Sequence, residues 1–266
     1  MAISFCSFAS GSSGNCYMVR TDKTTLLIDV GITGKRVLAG LSENSVDPES
    51  IDGILITHEH IDHVRSLRMI GKKASNAEVF ASAGTLNMIS DKVPLERTHP
   101  LPEEGGFLIG DIEVNPFPLS HDAADPRGYS FRYEGRQLTI VTDTGYISEE
   151  IFDKIRDANM LVLEANHEVN ILRMGPYPYS LQQRILGDEG HLSNETAGKC
   201  ICRMLKEREG GDVPKVELAH LSKENNSPEQ AYLTIRNILF DDDLYIDRDV
   251  ELNVIARDEI SPLIEV

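Results

Sequence analysis

Three histidines and two carboxylates stand between Thr57 and Val64, and four of these residues, His58, His60, Asp62 and His63, fall within a window of six. Imidazole and carboxylate donors at this density suit first-row dications, for which neutral histidine is the commonest protein ligand. The run Ile54-Leu55-Ile56 before them reads as a short buried strand, so the donors sit at its carboxyl end and at the mouth of the next helix. Alternation along an extended backbone sends His58 and His60 to one side, where they could chelate one ion. Asp62 and His63, in the turn that opens the helix, face a second position. The competing reading is a solvated polar loop, which requires His-x-His-x-Asp-His to fall at a strand end by coincidence.

The stretch resembles the signature of the metallo-β-lactamase superfamily. That pattern asks for three more ligands, and each has a candidate after a strand-like run: His121 behind Ile112 to Leu119, Asp143 behind Leu138 to Thr142, and His220 behind Lys215 to Ala219. Strand ends are where open sheets place their chemistry. The resemblance implies an αβ/βα sandwich, two mixed sheets with helices on the outer faces; periodicity alone shows only mixed α and β. It also implies a two-ion centre, with His58, His60 and His121 on one ion, Asp62, His63 and His220 on the other, and Asp143 bridging. Zinc, manganese and iron all suit this nitrogen and oxygen set. Two such ions can share a hydroxide as nucleophile and clamp the attacking and leaving oxygens. In keeping with this, no Gly-x-Ser-x-Gly elbow or acyl-enzyme triad is found.

Further segments narrow the likeness. Ser120 to Pro126, Leu163-Glu164-Ala165-Asn166-His167, Tyr177-Pro178 and Gly190-His191-Leu192-Ser193-Asn194 resemble the YycJ/WalJ group of bacterial metallohydrolases across nearly the whole chain. The group implies a cytoplasmic 5′-to-3′ exonuclease on double-stranded DNA. Asp62 and His191 are then the catalytic candidates beyond simple ligation. His191, ahead of a helix that begins near Ser193 or Asn194, could meet a phosphate or protonate the leaving oxygen, as the general acid of phosphodiesterase relatives does; a capping or packing histidine is the plainer reading. His167 is expected to orient a ligand or loop, and His99 to be an ordinary surface residue. Asp29 is expected to cap a turn, with support of the site as its other role. Two other functions stay open: hydrolysis of a small ester, lactone or thioester, and metal-dependent regulation without turnover.

The remaining composition bounds these readings. The 266 residues show no Pro/Gly/Ser linker, so one domain over residues 1–266 is expected. No apolar run approaches the ~20 residues of a membrane span. Met1 to Phe5 looks like a first strand instead of a signal peptide, and Cys6, Cys16, Cys200 and Cys202 read as reduced cysteines of a cytoplasmic protein. The net charge of −17 argues against a nucleic-acid partner at the level of the whole chain. Residues 241–266 hold nine acids against Arg248 and Arg257, a net −7 that leaves −10 for the rest. A local patch would have to grip DNA. Arg65, Arg68, Lys72 and Lys73 share one face of the helix expected from His63, although a solvated helix face explains them equally well. Arg173, Tyr177, Tyr179 and Arg184 could contact phosphates or stack bases, or cover the core. The loop Ala9 to Asn15 could approach a metal or serve as a simple turn. Ser227-Pro228-Glu229-Gln230 has the form of a capping box.

Overall fold

A computed structural model describes residues 2–209 and 211–266. The expected first strand reached back to Met1, which lies outside the described residues. Among the described residues, fourteen strands form two mixed seven-stranded sheets. The first holds β1 (Ser4–Ala9), β2 (Cys16–Arg20), β3 (Thr25–Ile28), β4 (Gly53–Leu55), β5 (Glu78–Ala81), β6 (Thr98–Pro100) and β14 (Ile264–Glu265), in the order β14-β1-β2-β3-β4-β5-β6. It is antiparallel up to β3 and parallel from β3 to β6. The second is antiparallel over β7 (Phe107–Ile109), β8 (Ile112–Pro118) and β9 (Arg127–Tyr133), and parallel over β10 (Arg136–Val141), β11 (Met160–Glu164), β12 (Lys215–Ala219) and β13 (Glu251–Val254).

The described residues group into two compact units. One comprises residues 2–118, 123–136 and 256–266, and the other residues 119–122, 137–209 and 211–255. In the first unit, β3 and β4 are buried almost end to end, as expected for parallel strands covered on both faces. They belong to a continuous apolar core that includes Leu27, Ile54, Ile56, Val64 and Leu67. Around it lie α1 (Gly34–Glu43), α2 (Ile61–Val64), α3 (Leu67–Lys73) and α4 (Ala83–Met88). The sequence suggested one helix from His63 onward. Instead α2 starts at Ile61 and the helix breaks before α3, because Ser66 turns its backbone N–H (3.0 Å) and its hydroxyl (2.8 Å) onto the Val30 carbonyl. Arg65, Arg68, Lys72 and Lys73 still emerge exposed.

In the second unit, the parallel strands alternate with α5 (Glu149–Ile155), α6 (Val169–Met174), α7 (Tyr179–Leu186), α8 (Asn194–Glu207) and α9 (Pro228–Asp241). Hydroxyl caps start three of them: Ser148 accepts from Ile151 N, Ser193 from Thr196 N, and Ser227 from Gln230 N. Only half of the expected capping box forms, since Gln230 donates to Thr234 and the Ser227 N–H goes to Asn226 Oδ1. Among the described residues no helix is long and apolar enough to cross a membrane.

The β12 carboxylate Glu217 is 4% exposed and accepts one bond from Asn253 at 3.0 Å. Burial pushes its pKa up to about 7. The folded chain therefore binds a proton that the unfolded chain has released, and stability falls as pH rises from the unfolded value to about 7. With ~1.4 kcal/mol per pH unit, the wild type should lose about 2–3 kcal/mol between pH 5 and 8 relative to Glu217→Gln. Urea unfolding of both proteins in chelator measures this; parallel pH profiles would disprove the assignment.

Candidate metal centre

In the first unit, the chemistry gathers at the carboxyl ends of β3 and β4. Asp29 follows β3 in the left-handed region (φ 57°) and is fully buried. Its Oδ1 accepts from Thr57 N at 2.9 Å, and its Oδ2 accepts from Thr57 Oγ1 at 2.8 Å and His63 Nδ1 at 2.7 Å. Burial raises its pKa, and attraction to His63 with the Thr57 bonds recovers only part of that. An acceptor at Nδ1 fixes the His63 proton there and presents Nε2 as the ligating nitrogen. Thr57 Oγ1 lies 3.0 Å from His58 Nδ1, which orients that ring as well. Asp29 therefore supports the site directly, and the turn-capping role expected from sequence does not describe it.

The three histidine rings cluster. Those of His58 and His60 lie 4.6 Å apart edge to face, those of His58 and His63 lie 4.0 Å apart, and Asp62 Oδ2 stands 3.6 Å from His63 Nε2. Glu59 points elsewhere, with Oε1 accepting from Ala124 N at 2.8 Å. The Ala9 to Asn15 loop is more than a turn. Asn15 N donates to the Asp62 carbonyl at 2.8 Å, and Asn15 Nδ2 meets His63 Nε2 at 3.1 Å. Gly31 passes beneath α2 so closely that a Cβ there would lie 1.5 Å from the Asp62 carbonyl oxygen, a position only glycine can occupy.

In the second unit, the site residues follow β10, β11 and β12. Asp143 (φ 62°) and His220 (φ 54°) both adopt left-handed backbone, uncommon for residues with a Cβ and frequent at functional sites. Asp143 Oδ1 lies 3.4 Å from His220 Nε2, 3.7 Å from His191 Nδ1 and 4.0 Å from His121 Nε2. His121 Nδ1 contacts the Gly190 carbonyl at 3.2 Å; burial lowers its pKa and favours the neutral, ligating form.

Glu164 organises this half of the site, and sequence reasoning gave it no role. It is fully buried, with Oε1 2.8 Å from both His191 Nδ1 and His220 Nδ1 and Oε2 accepting from Thr144 N and Leu192 N at 3.1 Å each. Burial alone would raise its pKa; the two histidines outweigh that and hold it low. The same contact raises His191 against the effect of its burial. A signal was available, since a glutamate closing the apolar strand Met-Leu-Val-Leu-Glu occupies the strand-end position of the other site residues.

His167 was expected to orient a ligand or a loop, and it is the loop that it holds. Its ring is 1% exposed and neither nitrogen has a hydrogen-bond partner among the described residues; burial lowers its pKa to about 4. Its backbone carbonyl accepts from Asn194 N, tying the loop to the start of α8. His99 is a surface residue on β6, bonded to Glu78 at 2.7 Å.

The donors fit dications. Within the second unit, ligand atoms of Asp143, Glu164, His191 and His220 all lie within 4.8 Å of one another. In both units, His58, His63, His121 and His220 have Nδ1 against an oxygen partner, as in histidines whose Nε2 ligates a metal.

The sequence profile of the beta-lactamase superfamily domain matches residues 24–209. Exodeoxyribonuclease WalJ of Streptococcus pneumoniae serotype 2 (strain D39) is 38% identical over 263 residues, 97% of this chain and 96% of that one. Exodeoxyribonuclease YycJ of Bacillus anthracis is 37% identical over 242 residues, 90% of each. Among solved structures, the metallo-beta-lactamase fold protein YhfI from Bacillus subtilis matches with a TM-score of 0.73, covering 98% of this chain and all of its own at 13% identity, a likeness of fold. With its strand-end histidines and carboxylates on that fold, this chain belongs to the beta-lactamase superfamily, in the group of the WalJ and YycJ exodeoxyribonucleases.

Proposed function

We propose that this protein is a metal-dependent exodeoxyribonuclease that hydrolyses phosphodiester bonds from the 5′ ends of double-stranded DNA. The observation that carries the reading is the 38% identity to WalJ over 97% of the chain. The family pattern assigns His58, His60 and His121 to one ion, Asp62, His63 and His220 to a second, and Asp143 to both, with zinc, manganese or iron as the ions. Because that pattern draws on residues of both units, residues 1–266 are proposed to work as one domain. The four cysteines are buried free thiols, which supports a cytoplasmic setting.

Two bound dications would supply a water of near-neutral pKa and neutralise charge on the reacting phosphate. The chain's own residues do the rest. Asp29 and Glu164 fix the tautomers of His63 and His220. His191 is anchored through Nδ1 to Glu164 while its side chain stays 21% exposed, so Nε2 is placed to hand a proton to the departing sugar oxygen. His191→Ala should slow diester cleavage by ~10²-fold with metal content unchanged. Loss of metal from that variant, read by elemental analysis, would make it a ligand instead.

DNA is proposed to lie along the basic face of the first unit. Arg65, Lys72 and Lys73 are exposed, whereas Arg68 is held by Asp91 at 3.0 Å. Replacing all four by glutamine should reduce the slope of log affinity against log salt by about 3, one for each cation that has no ion pair among the described residues. An unchanged slope would remove this face from the interface. The function itself is tested on metal-loaded protein with 5′-labelled duplex DNA. Early release of labelled mononucleotide supports it, and an intact duplex or internal cuts refute it.

A further inference from the structure

The segment between His167 and His191 contains a helix, α7, that packs by one half-buried face, through Leu181, Gln182, Ile185 and Leu186, and leaves the other to water. It fully buries none of its eight residues, and an isolated helix of that length is unstable in water. It is nevertheless held at its carboxyl end: His191 N donates to the Ile185 carbonyl at 3.0 Å, Gly190 N to the Gly187 carbonyl at 2.9 Å, and Arg184 pairs with Asp122. Large side chains beside it face water, with Met174 82%, Tyr179 75% and Ile171 38% exposed. Scattered exposed apolar residues are ordinary, but these lie within nine positions of one another. The charge there is also unusual. Residues 169–187 contain no acid in a chain with 43 acids and a net charge of −17, and they carry Arg173 and Arg184. Arg173 is exposed and has no ion pair among the described residues.

We propose that α6, α7 and the Tyr177-Pro178-Tyr179 turn between them form a stacking platform for an unpaired stretch of the substrate strand, with Tyr177 and Tyr179 under the bases and Arg173 on the backbone. The inference rests on the exonuclease reading and adds where the strand is held. An exonuclease on duplex ends must take up a strand freed from its partner, and aromatic faces receive any base regardless of sequence. Arg173 supplies charge complementary to phosphate, and it has no ion pair among the described residues. Continuity with the chemistry comes through the anchors, because the loop ending α7 delivers both His191 and the Gly190 carbonyl that holds His121.

The test uses the full metal-loaded chain and a single-stranded oligodeoxynucleotide with phosphorothioate linkages and one 2-aminopurine, whose fluorescence is quenched on stacking. The expected result is quenching by the wild type, retained by Tyr179→Trp. In Tyr177→Ala/Tyr179→Ala the quenching is lost and the dissociation constant rises at least ~10-fold, about 1–3 kcal/mol per stacked base. Arg173→Gln should weaken binding and flatten its salt dependence without restoring the fluorescence. Turnover of bis(p-nitrophenyl) phosphate, which has no unpaired strand for the platform to hold, should be equal in all four proteins, and this also establishes that the variants fold. Equal binding by wild type and double variant overturns the proposal, as does binding without quenching. Sedimentation showing a dimer that the double variant dissociates would assign the face to a second copy and overturn it too. Quenching without cleavage of duplex DNA would defeat the exonuclease reading and leave the platform standing; cleavage unaffected by the tyrosine substitutions would defeat the platform alone.

Discussion

Asp143→Ala is expected to cut hydrolysis of a simple phosphodiester by about 10³-fold. The estimate follows from the chemistry it would support. Two ions sharing one ligand stabilise the developing charge by several kcal/mol, and ~1.4 kcal/mol is a tenfold change in rate. The side chain is 2% exposed, and its Oδ1 faces His220, His191 and His121 together. Alanine is also poorly suited to the φ of 62° at this position, which adds a folding cost. Asp143→Asn separates the two effects, because asparagine tolerates left-handed backbone and matches the shape. It should melt near the wild type and still lose most activity. A catalytically normal Asp143→Asn protein would exclude the residue from the centre.

Glu164 carries the second large effect. Four donors converge on its carboxylate, His191 Nδ1 and His220 Nδ1 on one oxygen and the Thr144 and Leu192 amides on the other. Alanine would leave all four without an acceptor in a buried site, at ~1–3 kcal/mol for each group left unsatisfied. A stability loss on the order of 4 kcal/mol or more is expected, a large share of what holds a domain together. Glu164→Gln keeps the volume but turns an N–H₂ group toward donors. That variant should fold, bind metal ~10- to 100-fold more weakly and turn over a diester ~10²-fold more slowly. Chelator titration and thermal melting read the first two effects. Wild-type metal affinity in Glu164→Gln would show that the His220 tautomer does not depend on this carboxylate.

The difference between Asp143 and Glu164 shows what the sequence could reveal. His58, His60, Asp62 and His63 were legible because four donors are adjacent in the chain and follow an apolar strand. His121, Asp143 and His220 stand alone in sequence and became legible only through the superfamily pattern. The residues that position them were harder to read. Asp29 looked like a turn residue because its partners, Thr57 and His63, are 28 and 34 positions away. Glu164 was given no role because the histidines it holds arrive from α8's leading loop and from the end of β12. Left-handed backbone at Asp29, Asp143 and His220 aims three of these side chains, and nothing in residue identity announces it. The fold was legible to a similar depth. Apolar runs marked β4, β8, β10 and β12, and Ser193 marked the start of α8. The break between α2 and α3 was not, since it depends on a bond from Ser66 to Val30, a residue of another segment.

The central claim is that these strand-end donors make a metal-dependent phosphodiesterase. Its most direct test sets bis(p-nitrophenyl) phosphate beside a lactone and a thioester, using protein reloaded separately with zinc and manganese and with Asp143→Ala as the control. The account predicts turnover of the diester alone, abolished in the control. Turnover confined to the lactone or thioester, or none at all with two ions bound, would contradict it.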